Sequence, residues 1–81
     1  MHLDVTFFAL YRERAGCRQL ALDLPEGGTV ADLTEAIRQR FPHLAPPNVK
    51  IVVAVNTEYA EPELVLQEGD EVCLIPPVSG G

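Results

Sequence analysis

The sequence predicts a two-layer α+β domain, a sheet of four to five strands with one main helix packed across it. Three observations predict it. Several short segments alternate apolar and polar residues with the period of a strand, and a single segment repeats them with the period of a helix. The element order is strand, strand, helix, strand, short strand, strand, so one helix has one sheet face to cover. At 81 residues there is room for one core and no more.

The first strand is carried by Leu3, Val5 and Phe7, alternating with Asp4, Thr6 and Phe8. Leu20, Leu22 and Leu24 alternate with Gln19, Ala21 and Asp23 in the second. Between them, Tyr11 to Ala15 favours helix and Gly16 is placed to stop it, so the spacing predicts one short helical turn inside the hairpin loop. Pro25-Glu26-Gly27-Gly28 breaks the chain, and Thr29 with Asp32 three residues on predicts a capped helix start. Val30, Leu33, Ile37 and Phe41 form the apolar stripe of that main helix, which Pro42 ends through its bias on the residue before it. After a connector holding Pro46 and Pro47, Ile51 to Val55 is apolar at every position, the pattern of a strand covered on both faces. Asn56-Thr57-Glu58-Tyr59 predicts a turn into a short return segment. Leu64 to Leu66 precede a turn at Gly69-Asp70, and Val72, Leu74 and Ile75 mark the last strand.

Charge limits the partners. The net charge is −6, and no Lys or Arg follows Lys50. Nucleic acid and anionic membrane both require a positive surface, so neither is expected as a partner. A basic groove on a protein partner is the expected complement, unless the acids only keep a solvated face soluble. Cys17 and Cys73 lie far apart and make no metal-spaced set. The N-terminal residues lack a basic and apolar leader pattern, no run reaches membrane-spanning length, and a cytoplasmic protein is expected. No nucleophile–base pair, carboxylate dyad or phosphate loop emerges. His2 and His43 stand alone, and Gly27-Gly28-Thr29 lacks the lysine of a P-loop.

The most informative stretch is Pro76-Pro77-Val78-Ser79-Gly80-Gly81. Two prolines have no N–H to donate and fix φ, so strand pairing stops and the exit is stiff. Glycines without a Cβ make a slim end that a narrow channel can accept. The sequence therefore divides into a domain over residues 1–75 and a tail over residues 76–81, with a frayed terminus as the plainer alternative.

Glu68-Gly69-Asp70-Glu71-Val72 followed by this tail resembles the small subunit of molybdopterin synthase, one of the ubiquitin-like sulfur carriers. Phe7-Phe8-Ala9-Leu10, Leu24-Pro25-Glu26-Gly27, Thr29-Val30 with Leu33, and Ala54-Val55-Asn56 extend the resemblance over nearly the whole chain. It implies a β-grasp fold, a mixed sheet whose first and last strands lie parallel at its centre. It also implies chemistry at the Gly81 carboxylate. An E1-like enzyme spends ATP to adenylate Gly81, and sulfur from a desulfurase or rhodanese displaces AMP to leave a thiocarboxylate. Pro76, Pro77, Val78, Ser79 and Gly80 thread the large subunit, where the sulfur reaches cyclic pyranopterin monophosphate. Two small and two large subunits make the heterotetramer. No bound cofactor and no metal are expected on this chain.

If the first and last strands are neighbours, residue parity places Phe8 and Ile75 together on the face away from the helix, with Tyr59 as a third member. The resemblance places the contact with the large subunit at the same three positions. Three alternatives stay open. One is a sulfur carrier for thiamine thiazole synthesis or tRNA thiolation, another is a β-grasp binding module with an inert tail, and the last is conjugation of Gly81 to lysines.

Overall fold

The computed structural model describes residues 1–77. In chain order the elements are β1 (His2–Phe7), α1 (Ala9–Ala15), β2 (Gln19–Asp23), α2 (Val30–Arg40), β3 (Val52–Val55), β4 (Glu58–Tyr59) and β5 (Glu71–Ile75). The five strands form one sheet in the order β2-β1-β5-β3-β4. β1 runs antiparallel to β2 but parallel to β5, and β5 runs antiparallel to β3. The sheet is therefore mixed, with the first and last strands adjacent at its centre.

Strand parity builds the core. Leu3, Val5 and Phe7 of β1, Val72 and Leu74 of β5, and Val53 and Val55 of β3 point to one face and are buried. α2 lays Val30, Leu33 and Ile37 into that face, and Leu44 and Leu66 from the connecting segments close its margins. Burying a large aliphatic side chain contributes roughly 1.5–3 kcal/mol, so these interlocking rows dominate stability.

Both ends of α2 are defined by local chemistry. Thr29 Oγ1 accepts from the Asp32 N–H at 3.3 Å, and Asp32 Oδ2 accepts from the Thr29 N–H at 2.9 Å, the reciprocal box that satisfies two free donors. The next N–H groups, of Val30 and Ala31, donate to the carbonyls of Leu64 and Pro62, which ties the 61–66 segment to the helix start. At the other end Phe41 leaves the helical region ahead of Pro42 and sets its ring edge-on to Phe7, 5.5 Å between centroids. The connector that follows is held by cations. Arg38 donates to the carbonyls of Ala45, Pro46 and Val49, and Arg14 to that of Leu44.

Two expectations need correction. The helical piece before β2 starts at Ala9, not Tyr11, and makes about two turns before Gly16 stops it in the left-handed region. Tyr11 sets its length, because its ring is buried in the core and needs a preceding turn to point inward. β3 is not covered on both sides by layers of structure. α2 covers one face, and on the other Val52 stays half-buried while neighbouring side chains shelter Ala54.

Three outcomes test this description. Thr29→Ala removes the cap and is expected to cost about 1 kcal/mol, read as a lower urea midpoint. The β3–β4 turn holds Asn56 at φ 50° and Thr57 at φ 72°, a strained state for a β-branched residue. Thr57→Gly is therefore expected to stabilise the fold by roughly 0.5–1 kcal/mol, read as a higher urea midpoint. The Tyr11 hydroxyl is buried with no hydrogen-bond partner among the described residues. Burial pushes its pKa above the ordinary 10.0, against the pull of Arg38 and Arg14. The folded state thus holds this proton more tightly than the unfolded one. Its stability contribution is complete below that value and is lost as pH rises above it. Tyr11→Phe should flatten that alkaline loss in a series of melts across pH.

Candidate functional site

The face of the sheet opposite α2 carries the residues that sequence parity selected. β1 ends at Phe7, and Phe8 is the extended residue capping α1. Its N–H still donates to the Leu74 carbonyl at 3.2 Å, which prolongs the parallel ladder by one step. Since Phe7 is abreast of Leu74, Phe8 stands beside Ile75, and its ring is 45% exposed. The last strand therefore delivers Ile75 next to an exposed aromatic ring at its own end.

Register then links Tyr59 to the pair. Ile75 is paired with Val52, and the row before it runs Thr6, Cys73, Ala54, Tyr59 across β1, β5, β3 and β4. Tyr59 lies two strands from Ile75, about 10 Å across the sheet, with Val52 and Ala54 filling the gap. At 79% exposure Tyr59 is by far the most open large apolar side chain of the described residues. The open face thus carries an apolar patch, Phe8-Ile75-Val52 beside Cys73-Ala54-Tyr59. An apolar patch of this kind on a small domain is a candidate contact surface.

Val52, Ala54 and Cys73 belong to this patch and were not among the sequence-predicted residues. The signal for the first two was present in the unbroken apolar run at Ile51 to Val55, which carries apolar residues on a face that no helix covers. Cys73 shares parity with Ile75, so its place followed from the same alternation. Its thiol is no nucleophile in waiting, since partial burial pushes its pKa up and Glu71 on the same face adds to the rise.

Pro76 and Pro77 follow β5 outside the sheet. Val78, Ser79, Gly80 and Gly81 lie outside the described residues. Of the remaining candidates, His2 Nδ1 lies 3.2 Å from Asp23 Oδ1 on an exposed part of the face, and both cysteines are free thiols. Among the described residues no group of three or more His, Cys, Asp or Glu is placed to hold a metal ion, and no helix is long and apolar enough to cross a membrane.

The strand order, the single crossing helix and the apolar face beside the end of the last strand define a ubiquitin-like β-grasp protein. The ThiS family model matches residues 5–81, and the chain belongs to the ThiS family. It is 39% identical over 82 residues to the molybdopterin synthase sulfur carrier subunit of Homo sapiens, covering 98% of this chain and 93% of that one. The crystal structure of SAMP1 from Haloferax volcanii superposes with a TM-score of 0.87 at 31% identity, over the full length of both chains. Subunit 1 in the complex of subunits 1 and 2 of molybdopterin-converting factor from Helicobacter pylori does so with a TM-score of 0.70 at 26% identity, again over all of both chains.

The raised thiol pKa has a direct readout. Peptide mapping after iodoacetamide treatment near neutral pH is expected to find Cys73 labelled more slowly than a free cysteine, with the rate climbing as pH rises. Labelling as fast as a free thiol would place Cys73 in a different environment.

Proposed function

We propose that this chain is the small, sulfur-carrying subunit of a molybdopterin synthase. The observation that carries the reading is the junction of two features at one point. β5 ends with Ile75 inside the apolar open face, and the Pro76-Pro77 exit begins at the next residue. A partner seated on Phe8, Ile75 and Tyr59 receives the chain's last residues directly into its own interior. The identity to sulfur carrier subunits over nearly the whole length of both chains supports the same reading.

In this reading the domain is a handle and the chemistry sits on Gly81. A carboxylate oxygen of Gly81 attacks the α-phosphorus of ATP in an E1-like enzyme, pyrophosphate leaves, and an acyl-adenylate forms. The terminal sulfur of a persulfide on a desulfurase or rhodanese then attacks the acyl carbon and AMP departs, giving an acyl disulfide. A second thiol attacks the donor's own sulfur, so that the S–S bond breaks, the Gly81 thiocarboxylate leaves and the two donor-side thiols end as a disulfide. Inside the large subunit that sulfur bonds to cyclic pyranopterin monophosphate, and water finally returns Gly81 to its carboxylate. Pro76 to Gly80 thread the channel. The two sulfurs of the product dithiolene fit an assembly of two small and two large subunits, and a cytoplasmic setting fits the ATP-dependent loading. The chain itself binds no cofactor and contributes no general acid or base.

The intact mass of the protein purified from its own host tests the reading. A fraction heavier by one oxygen-to-sulfur exchange at Gly81 is expected. Deleting Gly81 is expected to abolish sulfur transfer while binding to the large subunit persists. Full transfer by the deletion variant would leave a binding module with an inert tail. Phe8→Asp and Ile75→Asp are each expected to weaken large-subunit binding about tenfold or more without lowering the melting temperature appreciably, because both side chains are already partly exposed.

A further inference from the structure

All six Lys and Arg residues of the chain gather at one pole of the domain, the pole where β5 ends. Arg12 and Arg14 sit on α1, whose capping residue Phe8 is bonded to Leu74. The Arg18 carbonyl accepts from the N–H of Phe7, the register partner of Leu74. Arg38 and Arg40 close α2, where the Arg40 guanidinium stands over the Phe41 ring that packs on Phe7. Lys50 lies two residues before Val52, the partner of Ile75.

The acids occupy the other pole. Asp70 and Glu71 stand at the start of β5, Glu68 accepts from the His2 N–H, Asp23 ends β2, and Asp32 caps the start of α2. Of the 12 Asp and Glu residues, Glu13 shares the basic pole on α1, Glu35 lies midway along α2, and Glu61 follows Ala60, whose N–H donates to the Val53 carbonyl. No Lys or Arg forms an ion pair with a carboxylate among the described residues, where the one such contact is His2 with Asp23. Arg14 and Arg38 are bonded to neutral carbonyls, which leaves their charge uncompensated. Arg12, Arg18 and Lys50 are exposed and make no side-chain hydrogen bond among the described residues.

Separation lets the local sign win over the total. The five residues of β5 span about 17 Å, roughly twice the screening length of about 8 Å at physiological salt. A partner approaching the end of β5 therefore meets a positive field, although the chain as a whole carries −6. A basic groove, the complement expected from net charge, is the wrong complement at this end.

We infer that the basic pole docks against an acidic rim around the opening through which a partner protein takes up the residues after β5. This rests on the tail-transfer reading proposed above and adds the chemistry of the receiving surface. Arg12, Arg18 and Lys50 stand around the exit of the last strand, so the rim carries carboxylates opposite them and the apolar patch docks just beside it. The charges orient the approach and speed encounter, and the apolar contacts hold the complex.

The test is the association rate of the full chain with the large subunit of the same organism, measured by stopped flow at low and high salt. Arg12→Glu/Arg18→Glu/Lys50→Glu is expected to slow association about tenfold or more at low salt, with the difference shrinking at high salt. Glu26→Lys/Glu63→Lys, on the acidic pole, is expected to leave the rate near wild type. Unchanged melting temperatures confirm that both variants fold. Wild-type binding with an equal or faster rate for the basic-pole variant overturns the inference and leaves the carrier reading standing. A wild-type chain that does not bind the large subunit at all overturns both.

Discussion

The parallel pairing of β1 with β5 is the constraint on which the rest of the molecule depends. It joins segments almost seventy residues apart in the chain, and closing so long a loop is entropically unfavourable until the contacts it brings are made. The return comes from the two most deeply buried strands, where Leu3, Val5 and Phe7 lie beside Val72 and Leu74 under α2. Because the pairing is parallel, β1 and β5 finish at the same end. α1 therefore rises from the place where the tail departs, and Phe8 comes to stand beside Ile75. An antiparallel pairing would have sent the tail out at the opposite, acidic pole.

Among the described residues no group of three or more His, Cys, Asp or Glu is placed to hold a metal ion, and burial, with Glu71 beside it, pushes the Cys73 thiol pKa up. In the proposed reading the fold supplies placement, through the apolar open face, the Pro76-Pro77 exit and the cations at the pole where β5 ends. Division of labour between a carrier and its partners requires this arrangement, since a group handed from one protein to another must be presented and not enclosed.

The cations serve the fold as well as its surface. Arg38 and Arg14 draw the carbonyls of residues 44 to 49 inward and shape a proline-containing connector that has no regular hydrogen bonding of its own. That connector sets where β3 begins and hence which residue pairs with Ile75. Structural and recognition roles are split among neighbours at the same pole, with Arg14 and Arg38 bonded to backbone and Arg12, Arg18 and Lys50 left to solvent.

The sequence by itself determined whatever rests on neighbours along the chain. The capped start and proline stop of α2, the alternation in β1, β2 and β5, the Asn56-Thr57 turn and the Pro-Pro exit are local signals, each readable within a few residues. They were enough for the fold class, and parity, joined to the strand adjacency that the β-grasp resemblance implies, put Phe8 and Ile75 on one face, with Tyr59 added from the return segment. Tertiary structure alone decided the properties that depend on register. The start of α1 at Ala9 follows from where the Tyr11 ring must be buried. The inclusion of Val52, Ala54 and Cys73 in the contact face follows from pairings between β5 and β3 and from the lack of a second covering layer. The positive field at the exit of an acidic chain follows from three-dimensional sorting of charges, because a net charge adds them without regard to place while screening confines each to its own end.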